Sequence, residues 1–135
     1  MRRLLALLLM LAPAAQADVA VVVHAKNAVA ALSPKEVQDI FLGRKRTFPD
    51  GRFALPVDQS SPLRAEFYQI LTARPLEQIN AYWARLLFSG QASPPRQLPD
   101  DAAVLKMVRE NEGAIAYVDP KHVDHSVRLL LLLKP

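Results

Sequence analysis

Asp58, Ser60, Ser61 and Arg64 crowd one short stretch of the chain, and together they could hold an oxyanion. Ser61-Pro62 reads as the start of a helix, whose free backbone N–H groups and partial positive charge favour anions. The hydroxyls of Ser60 and Ser61 add donors. Arg64 would fall near the third helical position, where Glu or Gln is preferred and the helix dipole disfavours a cation. A bound anion reverses that preference, and a guanidinium can grip two of its oxygens at once. Asp58 fits the same site if the ligand is HPO₄²⁻, whose proton a carboxylate accepts. The same residues admit a plainer arrangement in which Ser61 merely caps its helix and Arg64 pairs with Asp58, Glu66 or solvent.

Other polar clusters carry less. Arg44-Lys45-Arg46 is a basic loop that could attract an anionic partner or lipid headgroups, and equally a solvated loop. His122 and His125 lie beside Asp119 and Asp124, but their spacing fixes no third metal ligand, so no metal is expected. His24 reads as a polar strand terminus. Asp39, Glu77 and Glu110 fall on helix faces that should be wet, so no convergent carboxylate pair is visible. Gly-x-Ser-x-Gly, the phosphate-binding loop and His-Glu-x-x-His are absent. With no cysteine, thiol catalysis and thiolate metal sites are excluded too. The expectation is a binding protein without a cofactor, not an enzyme.

Met1-Arg2-Arg3, the apolar run Leu4–Leu11 and Ala15-Gln16-Ala17 have the order of a secretory signal peptide, with cleavage before Asp18. The run is well short of the roughly 20 residues that a membrane span needs. Residues 1–17 are therefore expected to be a leader and 18–135 a single periplasmic domain. Arg2 and Arg3 would leave with the leader, lowering the net charge from +4 to +2. No basic stripe with interleaved aromatics argues for nucleic acid.

The elements that must position the polar stretch follow from pattern. Val19–Val23 reads as a buried β-branched strand. Ser33-Pro34-Lys35-Glu36 is a capping box with proline at the first helical position, followed by Val37, Ile40 and Phe41 at helical spacing and by Gly43 as the stop. Phe53–Val57 reads as a second strand, with Pro56 marking an end or an edge. Helices should begin at Ser61-Pro62 and at Pro75, the latter placing Trp83 and Tyr82 on a core face. Gln91–Pro99 reads as a loop, Asp100 or Asp101 starts a fourth helix, and Ala114–Val118 is a short buried strand. Val127–Leu133, apolar without alternation, is expected to be covered on both faces. The order β-α-β-α-α-α-β-β makes an α/β mixed sheet with helices on both faces.

Three stretches resemble the periplasmic phosphate-binding protein family, the substrate-binding proteins of phosphate ABC transporters. Leu32–Gly43 is similar to that family's "Leu-Ser/Thr…Ile-Phe-x-Gly" helix before a basic loop. Ala54–Phe67 falls where the family has a strand, a serine-rich turn on a helix N-terminus and a phenylalanine. Gly113–Val118 resembles its "Gly-Ala/Ser-Ile-Gly-Tyr-Val" strand. The order agrees across most of residues 19–126. The resemblance implies one lobe of a type 2 periplasmic-binding-protein-like fold, with phosphate or a similar oxyanion as ligand and a membrane transporter or envelope protein as partner. It places Ser60 and Ser61 at the phosphate-binding turn. Pro62 stands where the family has glycine and Leu63 where a threonine donates, while Val57-Asp58-Gln59 offers no clear counterpart of an upstream arginine. The competing expectation is a protein-interaction or sensor-accessory module that has lost anion binding, with Phe48, Phe53 and Phe88 as exposed candidates.

Overall fold

A computed structural model describes residues 17–135; the leader-like segment up to residue 16 lies outside them. Strand β1, Val19–His24, is an apolar run because it lies inside the sheet, with a strand on each side and side chains packed on both faces. The sheet order is β3-β2-β4-β1-β5, with β2 at Leu55–Gln59, β3 at Arg96–Leu98, β4 at Ala114–Val118 and β5 at Val127–Leu133. Strands β2, β3 and β4 run parallel, and β1 is antiparallel to both β4 and β5.

Helices α1 (Pro34–Phe41), α2 (Leu63–Thr72) and α3 (Leu76–Phe88) supply the larger core, which takes Val19, Val21 and Val23 from β1. Helix α4 (Asp101–Glu110) supplies a smaller core on the other face, with Ala20 and Val22. Helices thus flank a mixed sheet on both faces, as the element pattern predicts. In the larger core Phe67 stacks on Tyr117 with ring centroids 3.8 Å apart, and Phe41 meets Phe67 edge-on at 4.9 Å.

Helix α1 starts as its sequence dictates. Ser33 Oγ accepts from the Glu36 N–H at 3.2 Å, and Glu36 Oε1 accepts from the Ser33 N–H at 3.0 Å. Asp100 caps α4 by accepting from the Ala103 N–H at 2.9 Å.

Four expectations need correction. Strand β2 lies two residues later than its apolar pattern suggests and is internal. It tolerates Pro56 because the Leu55 N–H bonds Gly113 on the β4 side at 2.8 Å, so position 56 turns its nitrogen the other way, where β3 pairs only from Val57 onward. The expected loop 91–99 contains β3, three residues behind Pro94 and Pro95 and too short to show a period. Strand β5 is an edge strand bonded to β1 alone, with Leu129 and Leu132 exposed. Phe48 is buried, whereas Phe53 and Phe88 are exposed.

Gly43, at φ +73, ends α1, and a Cβ there would meet the Trp83 ring at 2.9 Å. Gly51 also has positive φ but nothing within 4 Å of such a Cβ. Gly43→Ala should lose about 1–2 kcal/mol through its left-handed backbone and a further ~1–3 kcal/mol through overpacking against Trp83. Gly51→Ala should show the backbone part alone. Urea denaturation of the two variants checks this, and equal losses would remove the packing role assigned to Gly43.

Candidate functional site

The three parallel strands end at one edge of the sheet, and the segments that follow them meet there. Gln59, Ser61 and Leu63 come from the end of β2, Asp100 and Asp101 from the segment after β3, and Asp119, Lys121 and His122 from the segment after β4. They line an open crevice of about 480 Å³. Crevices outside the carboxyl ends of parallel strands are where open α/β sheets bind ligands.

Beneath the crevice lies a buried charged network. Asp58, 1% exposed, accepts from the Tyr68 hydroxyl at 2.8 Å, from the Tyr117 hydroxyl, from Arg64 Nε at 3.3 Å and from the Gln59 N–H at 2.9 Å. Arg64 donates from a terminal nitrogen to Asn80 Oδ1 at 2.8 Å, and its guanidinium carbon lies 5.5 Å from the Tyr68 ring centre. Burial pushes both phenols well above their ordinary range, and the adjacent Asp58 charge pushes them further. Tyr68 and Tyr117 are therefore permanent donors to the carboxylate.

Gln59 joins this network to the crevice. Its side-chain amide donates to the Tyr117 carbonyl at 2.8 Å and to Asp101 Oδ1 at 2.9 Å, and its Oε1 accepts from Ser61 Oγ at 2.6 Å. Asp101 Oδ2 accepts from the Asp119 N–H at 3.0 Å and lies 2.7 Å from His122 Nδ1. One carboxylate thus ties the start of α4 to the turn after β4.

The four expected oxyanion residues separate in space. Ser61 lines the crevice, although its hydroxyl already donates to Gln59 and accepts from the Leu63 N–H at 3.3 Å. Ser60 is exposed and does not line the crevice, its N–H bonded to the Leu98 carbonyl at 2.9 Å. Asp58 and Arg64 do not reach the crevice surface. They pair with each other inside, which is the plainer arrangement the sequence allowed. The reason is energetic: a buried carboxylate without a cation and donors costs several kcal/mol, and Arg64, in the first turn of α2, is within reach of it.

Helix α2 starts at Leu63, with no side-chain bond from Pro62 at its cap. His122 is engaged by Asp101, His125 takes no part, and His24 Nδ1 accepts from the Lys26 N–H at 3.0 Å. Among the described residues no group of three or more His, Asp or Glu is placed to hold a metal. Asp39 is not on a wet face; its carboxylate is largely covered, between Lys35 at 3.5 Å and Arg44 at 3.6 Å. Sequence reasoning did not find Gln59, Tyr68, Asp101 or Tyr117. The available signal was Asp58-Gln59 directly following a strand pattern, which marks a strand that continues with polar residues facing a buried partner.

No protein-family model matches the chain, and no curated protein matches it in sequence. Solved structures do match it. A phosphate ABC transporter substrate-binding protein from Clostridium perfringens, solved with bound phosphate, superposes with a TM-score of 0.67 at 20% identity, over 86% of this chain and 46% of its own. An ABC-type phosphate transport receptor from Vibrio cholerae gives 0.66 at 19% identity, over 86% and 47%. The class defined by the fold is therefore a single lobe of the type 2 periplasmic-binding-protein-like architecture. More particularly, the lobe it matches is that of phosphate-transport substrate-binding proteins, and the chain spans about half the length of those structures.

Two outcomes follow from the network. Asp58→Ala leaves the Arg64 charge buried without a partner and should cost about 3–5 kcal/mol by urea denaturation; a loss under 1 kcal/mol would show that the pair contributes little. Second, the raised phenol values make native stability complete below about pH 10, the ordinary tyrosine value. Above it the unfolded chain releases protons that the native state retains, so stability should fall by roughly 1.4 kcal/mol per pH unit for each of the two tyrosines. Absorbance near 295 nm should show these phenols ionising only in step with unfolding. Their ionisation in a chain that stays folded would contradict this.

Proposed function

We propose that this chain is an exported, non-enzymatic recognition domain of the phosphate ABC transporter substrate-binding type. It takes phosphate or a related oxyanion in the crevice at the carboxyl edge of β2, β3 and β4. The observation that carries this reading is the convergence of three parallel strand ends, the start of α2, Ser61, Lys121 and His122 on one open crevice, in a lobe whose fold is that of phosphate-transport receptors. Ser60, exposed next to Ser61 in the chain, offers a second hydroxyl.

In this reading Arg64 and Asp58 support the site from below and do not touch the ligand. Their charges offset each other, so the field in the crevice is set by Lys121, itself 3.8 Å from Asp119, against Asp100, Asp101 and Asp119. A single lobe covers an anion from one side, which makes binding weak and exchange fast. Export rests on the leader pattern of residues 1–17. No helix among the described residues is long and apolar enough to cross a membrane, and delivery to a membrane transporter or another envelope protein belongs to the same proposal.

One observation favours a second reading, an interaction or sensor-accessory module. Arg64 is turned inward while Asp101 and Asp119 line the crevice, which lowers its attraction for an anion. Thermal melting in phosphate and sulfate separates the two. At one hundred times the dissociation constant the ligand should add about 2.7 kcal/mol of stability, a shift of several degrees. Lys121→Ala and Ser60→Ala should reduce the shift while leaving the unliganded melting point unchanged. Absence of any shift at millimolar phosphate and sulfate, together with a stable dimer or complex by size exclusion, would overturn anion recognition in favour of the interaction module.

A further inference from the structure

We propose a second binding site, at the amino end of β2 and away from the crevice, that takes a small amphipathic carboxylate: an aromatic or short apolar body bearing one negative charge. The site is a pocket of about 300 Å³. It stands independently of the oxyanion reading, because it shares no residue with the crevice.

Its apolar walls are built, not incidental. Trp83 lies against the backbone of Gly43, where a Cβ would come within 2.9 Å of the ring. Phe53, 63% exposed, is held in place by its bridge to Thr47 and by the close approach of Gly113, whose Cβ would meet the Phe53 carbonyl oxygen at 2.8 Å. The Ala54 N–H bonds the Arg46 carbonyl at 2.9 Å, which fixes the basic loop beside this wall. The Trp83 Nε1–H is buried without a hydrogen-bond partner. An orphan donor of this kind costs free energy.

The rim supplies the charge. Lys45, Arg46 and Arg96 line the pocket, and no aspartate or glutamate does. Among the described residues none of these three has a carboxylate within 4.0 Å, although the neighbouring Arg44 is tied to Asp39 at 3.6 Å and Arg52 to Asp50 at 3.7 Å. Three unpaired cations around an aromatic concavity call for an anion with an apolar body. Inorganic phosphate would meet the rim cations but leave the aromatic walls unfilled. A bilayer surface cannot enter a recess of this size.

Trp83 is the single tryptophan of the chain and reports on its own pocket. Its fluorescence should change saturably with phenylacetate and remain flat with the uncharged 2-phenylethanol and with inorganic phosphate. Arg96→Gln and Arg46→Gln, both at exposed positions, should each weaken phenylacetate by roughly threefold to fivefold without altering the melting point. Equal responses to the acid and the alcohol would overturn the role of the cations. A matching response to phosphate would overturn the amphipathic ligand. No saturable change at tens of millimolar phenylacetate, in protein that melts cooperatively, would overturn the site itself.

Discussion

A carboxylate sealed inside a domain must be matched by its surroundings, and here the surroundings of Asp58 organise both the core and the crevice. It sits on β2, the strand between β3 and β4, and four donors reach it from α2, β4 and its own strand. Two of those donors, Tyr68 and Tyr117, are among the largest fully buried side chains. Removing charge from such a place can be neutral when a well-packed apolar group replaces the whole set, whereas removing one partner is not. The network therefore fixes where α2 lies against the sheet. Through Gln59 it also fixes the positions of Ser61 and Asp101 above.

This separation of support from surface matters for the chemistry at the strand ends. A guanidinium that neutralises an internal carboxylate cannot also serve as a counter-charge for a ligand. For the proposed anion, attraction would come from Lys121 and the hydroxyls, against the carboxylates of Asp100, Asp101 and Asp119. Asp101 illustrates the trade: one oxygen accepts from the Gln59 amide while the other holds α4 to the turn after β4.

How much of this could be read from the chain depended on whether the deciding contacts were local. Helix α1 was legible because Ser33, Pro34, Glu36 and Gly43 act within one helix. The parallel strand β3 was not, since three residues between prolines carry no period. Strand β5 shows a different limit: an unbroken leucine run looks the same whether both faces are covered or one edge is open. Arg64 had several partners open to it in sequence: a bound anion, Asp58, Glu66 or solvent. The choice between them was made by Tyr68 and Tyr117, the latter more than fifty positions away, and no spacing rule reaches that far. The match to solved structures extends the architecture that the Leu32–Gly43 and Gly113–Val118 stretches suggested, at an identity that speaks for the fold alone.

The place of β1 inside the sheet has a kinetic side. Its partners are Ala114–Val118 and Val127–Leu133, so the first strand of the domain waits for the last. Closing loops of that length precedes any reward from strand pairing. A chain emerging from a ribosome therefore cannot complete its sheet until nearly all of it has been delivered. Until then Val19–Val23 stays an unpaired apolar segment, open to association with other exposed strands.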